Sequence, residues 1–150
     1  MRIVLQRVQQ ASVTVSGDQV AAIGPGLLVL VGVEQGDTPA DVEYLAAKTA
    51  ALRIFNDANG VMNRSVTDID GRILAVSQFT LTASTRRGNR PGYTRAARHD
   101  LAVPLYHMYC ERVSTLTGHH VEQGIFGADM QVALINDGPV TIIIDSKLKE

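Results

Sequence analysis

The sequence contains one cysteine, Cys110, no tryptophan, and aromatic residues at only 5 per cent. A single thiol excludes an intrachain disulfide and any zinc site built on several cysteines, and it is compatible with a reducing compartment. Long apolar runs are missing too. The longest, Leu27–Val33, is seven residues, where a membrane-spanning helix needs about 20. Ile3-Val4-Leu5 is ended by Gln6 and Arg7, too early for the 7 to 15 or so apolar residues of a secretory signal. The expectation is a cytoplasmic chain with no membrane partner. HExxH, EF-hand and paired-cysteine patterns are absent. His119 and His120 are neighbours, which on a strand point to opposite faces and chelate poorly together. No metal and no cofactor are therefore expected. Gly24-Pro25-Gly26 is followed by leucines rather than Lys-Ser/Thr, so it reads as a turn and not as a phosphate loop.

Neither sign of charge dominates. The 14 Lys and Arg against 15 Asp and Glu leave a net charge of -1. The positions say more than the sum. Between Gly71 and His99 stand six arginines and no acid, which leaves 8 basic against 15 acidic residues elsewhere. Arg86, Arg87, Arg90, Arg95 and Arg98 are interleaved with Gly88, Pro91, Gly92 and Tyr93, a loop composition on which an anionic partner could dock. Charge alone equally allows a solvated loop whose arginines pair with surface acids.

At 150 residues, with 45 per cent apolar and 19 per cent charged residues, the chain reads as one globular domain over 1–150. Arg2–Val8, Ala11–Val15 and Gln19–Ile23 read as strands of a meander, with Gly17-Asp18 as a turn. The wholly apolar Leu27–Val33 suits a central strand covered on both faces. Thr38-Pro39-Ala40-Asp41 carries an N-cap hydroxyl, a first-turn proline and an acid at the third helical position, and Val42, Leu45, Ala46, Thr49 and Leu52 then share one face. Asp70-Gly71 reads as a hairpin turn into a strand over Arg72–Leu81. A second helix is predicted over Asp100–Thr117, with Leu101, Leu105, Met108, Tyr109, Val113 and Leu116 inward, Pro104 in its first turn and Gly118 as its stop. Strands over Asp129–Ile135 and Val140–Asp145 close the chain. The order implies an α+β fold of layered mixed β-sheets with two main helices on one face.

Two segments stand out chemically. The apolar Ile73–Val76 changes abruptly into Ser77-Gln78-Phe79-Thr80-Leu81, so polar side chains gather at the end of a buried strand, where sites are commonly built. Ser77 or Thr80 could act as a nucleophile, but no G-x-S-x-G elbow and no evident histidine base accompany them. Strand hydroxyls bonding to backbone is the plainer reading. Gly138-Pro139 is the other, since proline removes a ladder donor and glycine permits close approach; most X-Pro bonds are trans.

SQFTL (residues 77–81) and NDGPVT (136–141), inside a framework that includes residues 1–15, 26–33, 53–55 and 128–132, resemble the D-aminoacyl-tRNA deacylase family. The resemblance implies a homodimer that hydrolyses the ester joining a D-amino acid to the terminal adenosine of tRNA, and that also takes glycyl-tRNA. It implies a cis Gly138–Pro139 pair reaching into the pocket of the partner subunit. It implies Ser77, Gln78, Phe79 and Thr80 around the reacting ester, with main-chain amides near Phe79 and Thr80 facing the carbonyl and with water as the attacking group. Thr80 then has a supporting role. Met130 falls to the adenosine pocket and Arg7 to support of the Gly-Pro loop, while Arg86, Arg87, Arg90 and Arg95 become candidate contacts to tRNA phosphates. A non-catalytic tRNA-binding dimer is the alternative, and a serine or threonine hydrolase of a small ester a third possibility.

Overall fold

A computed structural model describes residues 1–149. Its longest early element is β1 (Arg2–Val15), one continuous strand where the sequence suggested two. Gln9 and Gln10 are exposed in its middle, but Ile3, Leu5, Val8, Ala11 and Val13 are all buried, so the apolar positions on either side belong to a single ribbon. One edge of β1 is shared. Its first half pairs antiparallel with β3 (Gly26–Gly32), and its second half pairs antiparallel with β2 (Asp18–Ile23).

β3 also pairs in parallel with β6 (Arg72–Ser77), which in turn pairs with the short β7 (Glu122–Gln123). The Asp70-Gly71 turn therefore delivers a parallel neighbour and not a hairpin. α1 (Pro39–Ala51) and the small β4–β5 hairpin (Phe55–Asn56, Met62–Arg64) lie in the crossover between β3 and β6, as a parallel pair requires. Gly26 shows how close the two strands run at their start, because a Cβ placed there would stand 1.8 Å from Arg72 O.

α1 starts where its cap predicts. The Asp41 carboxylate accepts from Thr38 N–H at 2.8 Å, and Val42, Leu45, Ala46 and Thr49 are buried. α2 (His99–Thr117) ends at Gly118, whose φ of 76° is the left-handed conformation glycine adopts most readily. Pro104 lies beyond the first turn, and the residue whose carbonyl loses its donor, Asp100, is exposed to water. One inward assignment fails, and one buried residue was not in the predicted face. Met108 is exposed, whereas Tyr106 is buried and donates its hydroxyl to Ala75 O at 3.0 Å.

Both helices cover one face of the sheet, where Ile3, Leu5, Val29, Val31, Ile73 and Ala75 meet Leu45, Leu105 and Tyr109. The opposite face of β3 and β6 presents Leu28, Leu74 and Val76, and packs with Val8, Val13, Ile23 and partly buried Met130, Val132 and Leu134. The sheet thus curls over itself, and its central parallel strands are apolar on both sides. Among the described residues no helix is long and apolar enough to cross a membrane.

The last strand, β8 (Gln131–Asp145), runs antiparallel along the whole outer edge of β1. It too is one strand where two were expected, because its two halves share a partner. Gln6 pairs with Thr141 and Val8 with Asn136, so Asp137–Val140 bulge opposite Arg7 alone.

Candidate active site

β3 and β6 are parallel, so their C-terminal ends open at the same edge, the usual position of a ligand crevice in parallel sheets. A cavity of about 520 Å³ lies there. Its walls are largely apolar, with Val31 and Val33 from the end of β3, Val76 from β6, Ala96 and Ala97 from the loop before α2, Ala102 from α2, and Phe126, Met130 and Val132 beyond β7. Ser77, Gln78 and Phe79 line it from the end of β6. His99 and Asp129 supply its titratable side chains.

The predicted strand over Arg72–Leu81 stops at Ser77. Gln78 N–H still reaches Val31 O at 2.8 Å, and the chain then coils into a 3-10 turn, Phe79–Thr82. Leu81 N–H donates to Gln78 O and Ala83 N–H to Thr80 O. Phe79 and Thr80 open this turn, where helical backbone leaves N–H groups without intrahelical acceptors. Phe79 is 57 per cent exposed, and its ring meets that of Tyr93 edge-on with centroids 5.1 Å apart.

The hydroxyls do not form a catalytic chain. Thr80 Oγ1 accepts from Gln78 Nε2 at 2.6 Å, and Thr80 is not among the lining residues. Among the described residues, neither Ser77 nor Thr80 is hydrogen-bonded to a histidine or a carboxylate. His119 is engaged elsewhere, with Asp70. Cys110 is buried in α2, and burial pushes its thiol up to about 12. A charge-relay hydrolase therefore finds no support in the geometry.

Gly138 and Pro139 do not line the cavity of their own chain. They sit exposed on the bulge of β8, joined by a cis peptide bond. Arg7, only 8 per cent exposed, lies beneath them; its Nε donates to Asp137 O at 2.8 Å and its Nη1 to Ile54 O at 2.7 Å. Asn136 Oδ1 accepts from Val140 N–H at 2.8 Å and closes the bulge from its other side. The backbone of the loop is thus held at both ends.

The arginines separate into two groups. Arg86, Arg87 and Arg90 are exposed on a loop that paired hydrogen bonds between Ser84 and Gly92 close at its base. Arg95 is engaged with its own chain, at Thr82 O and Glu34, while Arg98 stands exposed at the N-cap position of α2 with no side-chain capping bond. His99 and Phe126 are cavity features that no sequence pattern marked. His99 packs edge-on against Phe126, and that contact joins the start of α2 to a segment far along the chain.

The chain and its fold are similar to known proteins. Over all 150 residues of both chains, the sequence is 59 per cent identical to a protein of Parabacteroides distasonis named D-aminoacyl-tRNA deacylase. A solved structure titled "c-Myc DNA Unwinding Element Binding Protein" superposes with a TM-score of 0.90 at 40 per cent identity, covering 97 per cent of this chain and 98 per cent of that one. Another, titled as a probable eukaryotic D-amino acid tRNA deacylase, shares the fold with a TM-score of 0.82 at 18 per cent identity, over 95 and 97 per cent of the two chains. The family described as D-Tyr-tRNA(Tyr) deacylase matches residues 4–145. Since that match runs through both the turn after β6 and the bulge of β8, this chain is a member of the D-Tyr-tRNA(Tyr) deacylase family.

Proposed function

We propose that the protein hydrolyses the ester between a D-amino acid and the 3′-terminal adenosine of tRNA, a step that corrects the handedness of the aminoacyl group. Water adds to the ester carbonyl, the bond to the ribose oxygen breaks, and the proton passes to that oxygen as free tRNA and amino acid leave. The observation that carries this reading is the cavity at Ser77–Phe79, in a chain matched throughout by the deacylase family.

An aminoacyl ester is already activated, so positioning and charge stabilisation can replace a side-chain nucleophile. The amides at Phe79 and Thr80 receive the carbonyl oxygen as it gains negative charge. The substrate's ribose hydroxyl assists the water. Thr80 keeps its turn in shape through Gln78, and Met130 borders the adenosine.

Gly138 and Pro139 act in the cavity of a partner subunit in a homodimer. They do not line the cavity of their own chain, and Arg7 holds the carbonyl of the adjoining Asp137. Rigid main chain suits this work: a ten-thousandfold preference needs about 5.5 kcal/mol, more than the roughly 1 to 3 kcal/mol a missing methylene supplies. Glycyl-tRNA is accepted because glycine has no side chain to exclude. The exposed Arg86, Arg87 and Arg90 meet phosphates of the acceptor end, which adds affinity without reading sequence. The substrate places this work in the cytoplasm.

The test is to incubate matched D- and L-tyrosyl-tRNA with the purified protein. Rapid release from the D-ester with the L-ester intact is expected. Equal rates would remove handedness from the reading. Retention of tRNA with D-esters decaying only at the solvent rate would make the protein a non-catalytic binder.

A further inference from the structure

The loop that carries the arginines borders the cavity, and its returning limb is tied down. Gln35 N–H donates to Arg95 O at 2.9 Å, Ala97 N–H to Val33 O at 3.0 Å, and Gln35 Nε2 to Thr94 O at 2.9 Å. This limb is therefore laid alongside the chain that leaves β3, and it brings Ala96 and Ala97 into the cavity wall. The Arg95 side chain reaches to another segment. Its Nε and Nη2 donate to Thr82 O at 3.3 and 3.2 Å, and Nη2 stands 3.3 Å from Glu34 Oε1. Thr82 is the last residue of the 3-10 turn, and its hydroxyl donates to Phe79 O at 2.8 Å. One guanidinium thus joins the end of β3, the returning limb and the turn that bears Phe79.

The charges favour holding Arg95 where it is. The Glu34 side chain is 16 per cent exposed, its Oε1 accepts no hydrogen bond, and Arg95 is its ion-pair partner among the described residues. Drawing the guanidinium off to a phosphate would leave that carboxylate nearly buried and uncompensated, a costly state. Glu34 would also repel an arriving phosphate. Arg86, Arg87 and Arg90 have no such tie.

We propose that Arg95, with Glu34, is a positioning pair that fixes the Phe79–Thr82 turn against the cavity wall, and that Arg95 is not a phosphate contact. The proposal rests on the hydrolase reading for its kinetic consequence and on the local geometry for its structural one.

The experiment follows D-tyrosyl-tRNA hydrolysis over a range of salt concentrations for the wild type, Arg95→Gln, Arg95→Lys, Glu34→Gln and Arg86→Gln. Arg95→Gln and Glu34→Gln should each lower kcat on the order of 10- to 100-fold while KM stays within about threefold. The salt slope of kcat/KM should remain that of the wild type. Arg95→Lys should restore part of kcat, and the double variant Glu34→Gln/Arg95→Gln should be no worse than Arg95→Gln alone. Arg86→Gln should instead raise KM and flatten the slope by about one. A raised KM and flattened slope in Arg95→Gln with kcat intact would overturn the proposal, as would a Glu34→Gln variant that binds tRNA more tightly at full kcat. Amide hydrogen exchange at residues 78–83 gives a readout that needs no turnover: faster exchange in Glu34→Gln supports the clamp, and unchanged exchange refutes it. If circular dichroism shows Arg95→Gln unfolded, Arg95→Lys and Glu34→Gln decide. A wild type inactive on D-esters sinks the hydrolase reading and leaves the exchange result to judge the clamp.

Discussion

Replacing Gly138 by alanine tests the bulge of β8 with a single methyl group. Gly138 has φ at +136°, where L side chains are rarely found, and the added Cβ would stand 2.9 Å from Val140 Cγ2, 3.0 Å from Arg7 Nη2 and 3.2 Å from Val140 N. None of these neighbours yields easily. Val140 N is committed to Asn136 Oδ1, and the planar guanidinium of Arg7 cannot swing its Nη2 aside without moving the Nε and Nη1 that hold Asp137 O and Ile54 O. Strained backbone of this kind costs about 1 to 3 kcal/mol. At about 2 to 4 °C per kcal/mol for a domain of this length, the melting temperature should fall by about 2 to 12 °C.

If the loop shifts to relieve the contact, the proposed function has the Gly-Pro backbone leave its working position. A displacement near 1 Å is enough for a loss of about 100-fold in kcat/KM on D-tyrosyl-tRNA. Gly17→Ala is the control. Its φ of +84° is also unfavourable to alanine, but nothing lies within 4 Å of the added Cβ, and it sits in the β1–β2 turn. It should lose some stability and keep its activity. The assays are calorimetric melts and initial hydrolysis rates. A Gly138→Ala variant that melts with the wild type and keeps kcat/KM within about twofold would show that the bulge is neither rigid nor part of the site, against the magnitudes above.

Three further outcomes check the packing beneath the site. Tyr109→Phe removes the 2.7 Å hydroxyl contact with Thr49, whose own hydroxyl keeps Leu45 O as acceptor; urea titration should show a loss of about 1 kcal/mol, and no loss would mean the pair is not made. Burial raises the Cys110 thiol to about 12, so a thiol reagent should leave the native protein unlabelled at pH 8 and label it fully in guanidinium; rapid native labelling would contradict the burial. Burial by itself would raise the Asp41 carboxyl, but hydrogen bonds from Ser146, Lys147 and Thr38 outweigh it and hold the group far below the usual carboxylate range. A depressed folded-state value means its stabilisation is complete above the unfolded value, about 3.9, and fades as pH falls towards the folded one. The gap in melting temperature between wild type and Asp41→Asn should be wide at pH 7 and shrink progressively as pH falls below about 4; a gap independent of pH would refute the assignment.

The helices were legible because their signals are local. Thr38, Pro39 and Asp41 mark a start within four residues, and Gly118 marks a stop on its own. Continuity of strands is not local. β1 and β8 each read as two because what keeps them single is pairing with the other, over residues more than a hundred positions apart. Burial of Tyr106 is not local either: its hydroxyl needs a polar partner inside the fold, and that partner, Ala75 O, belongs to another element. The change from apolar to polar after Val76 falls at the edge of the cavity, but it did not show that the chain coils there into a 3-10 turn.

Arg95 states the same limit in terms of function. On sequence it is one more positive charge in a basic loop, indistinguishable from Arg86 or Arg90. Its difference is a carboxylate about sixty positions earlier in the chain, which packing brings to 3.3 Å and nearly removes from water. Charge runs report the field a surface presents; they do not report which charges are already spent inside the fold. A site of the proposed kind, made mostly of main chain, magnifies the difficulty, because amides at Phe79 and a loop at Gly138 would carry no side-chain signature of such a role. What the structure adds is the set of side chains that fix these segments: Gln78 on the Thr80 hydroxyl, Arg7 on Asp137 O and Arg95 on Thr82 O. In a site of this kind, polar side chains aimed at the chain's own carbonyls and hydroxyls are therefore the ones to test first, ahead of exposed hydroxyls that look like nucleophiles.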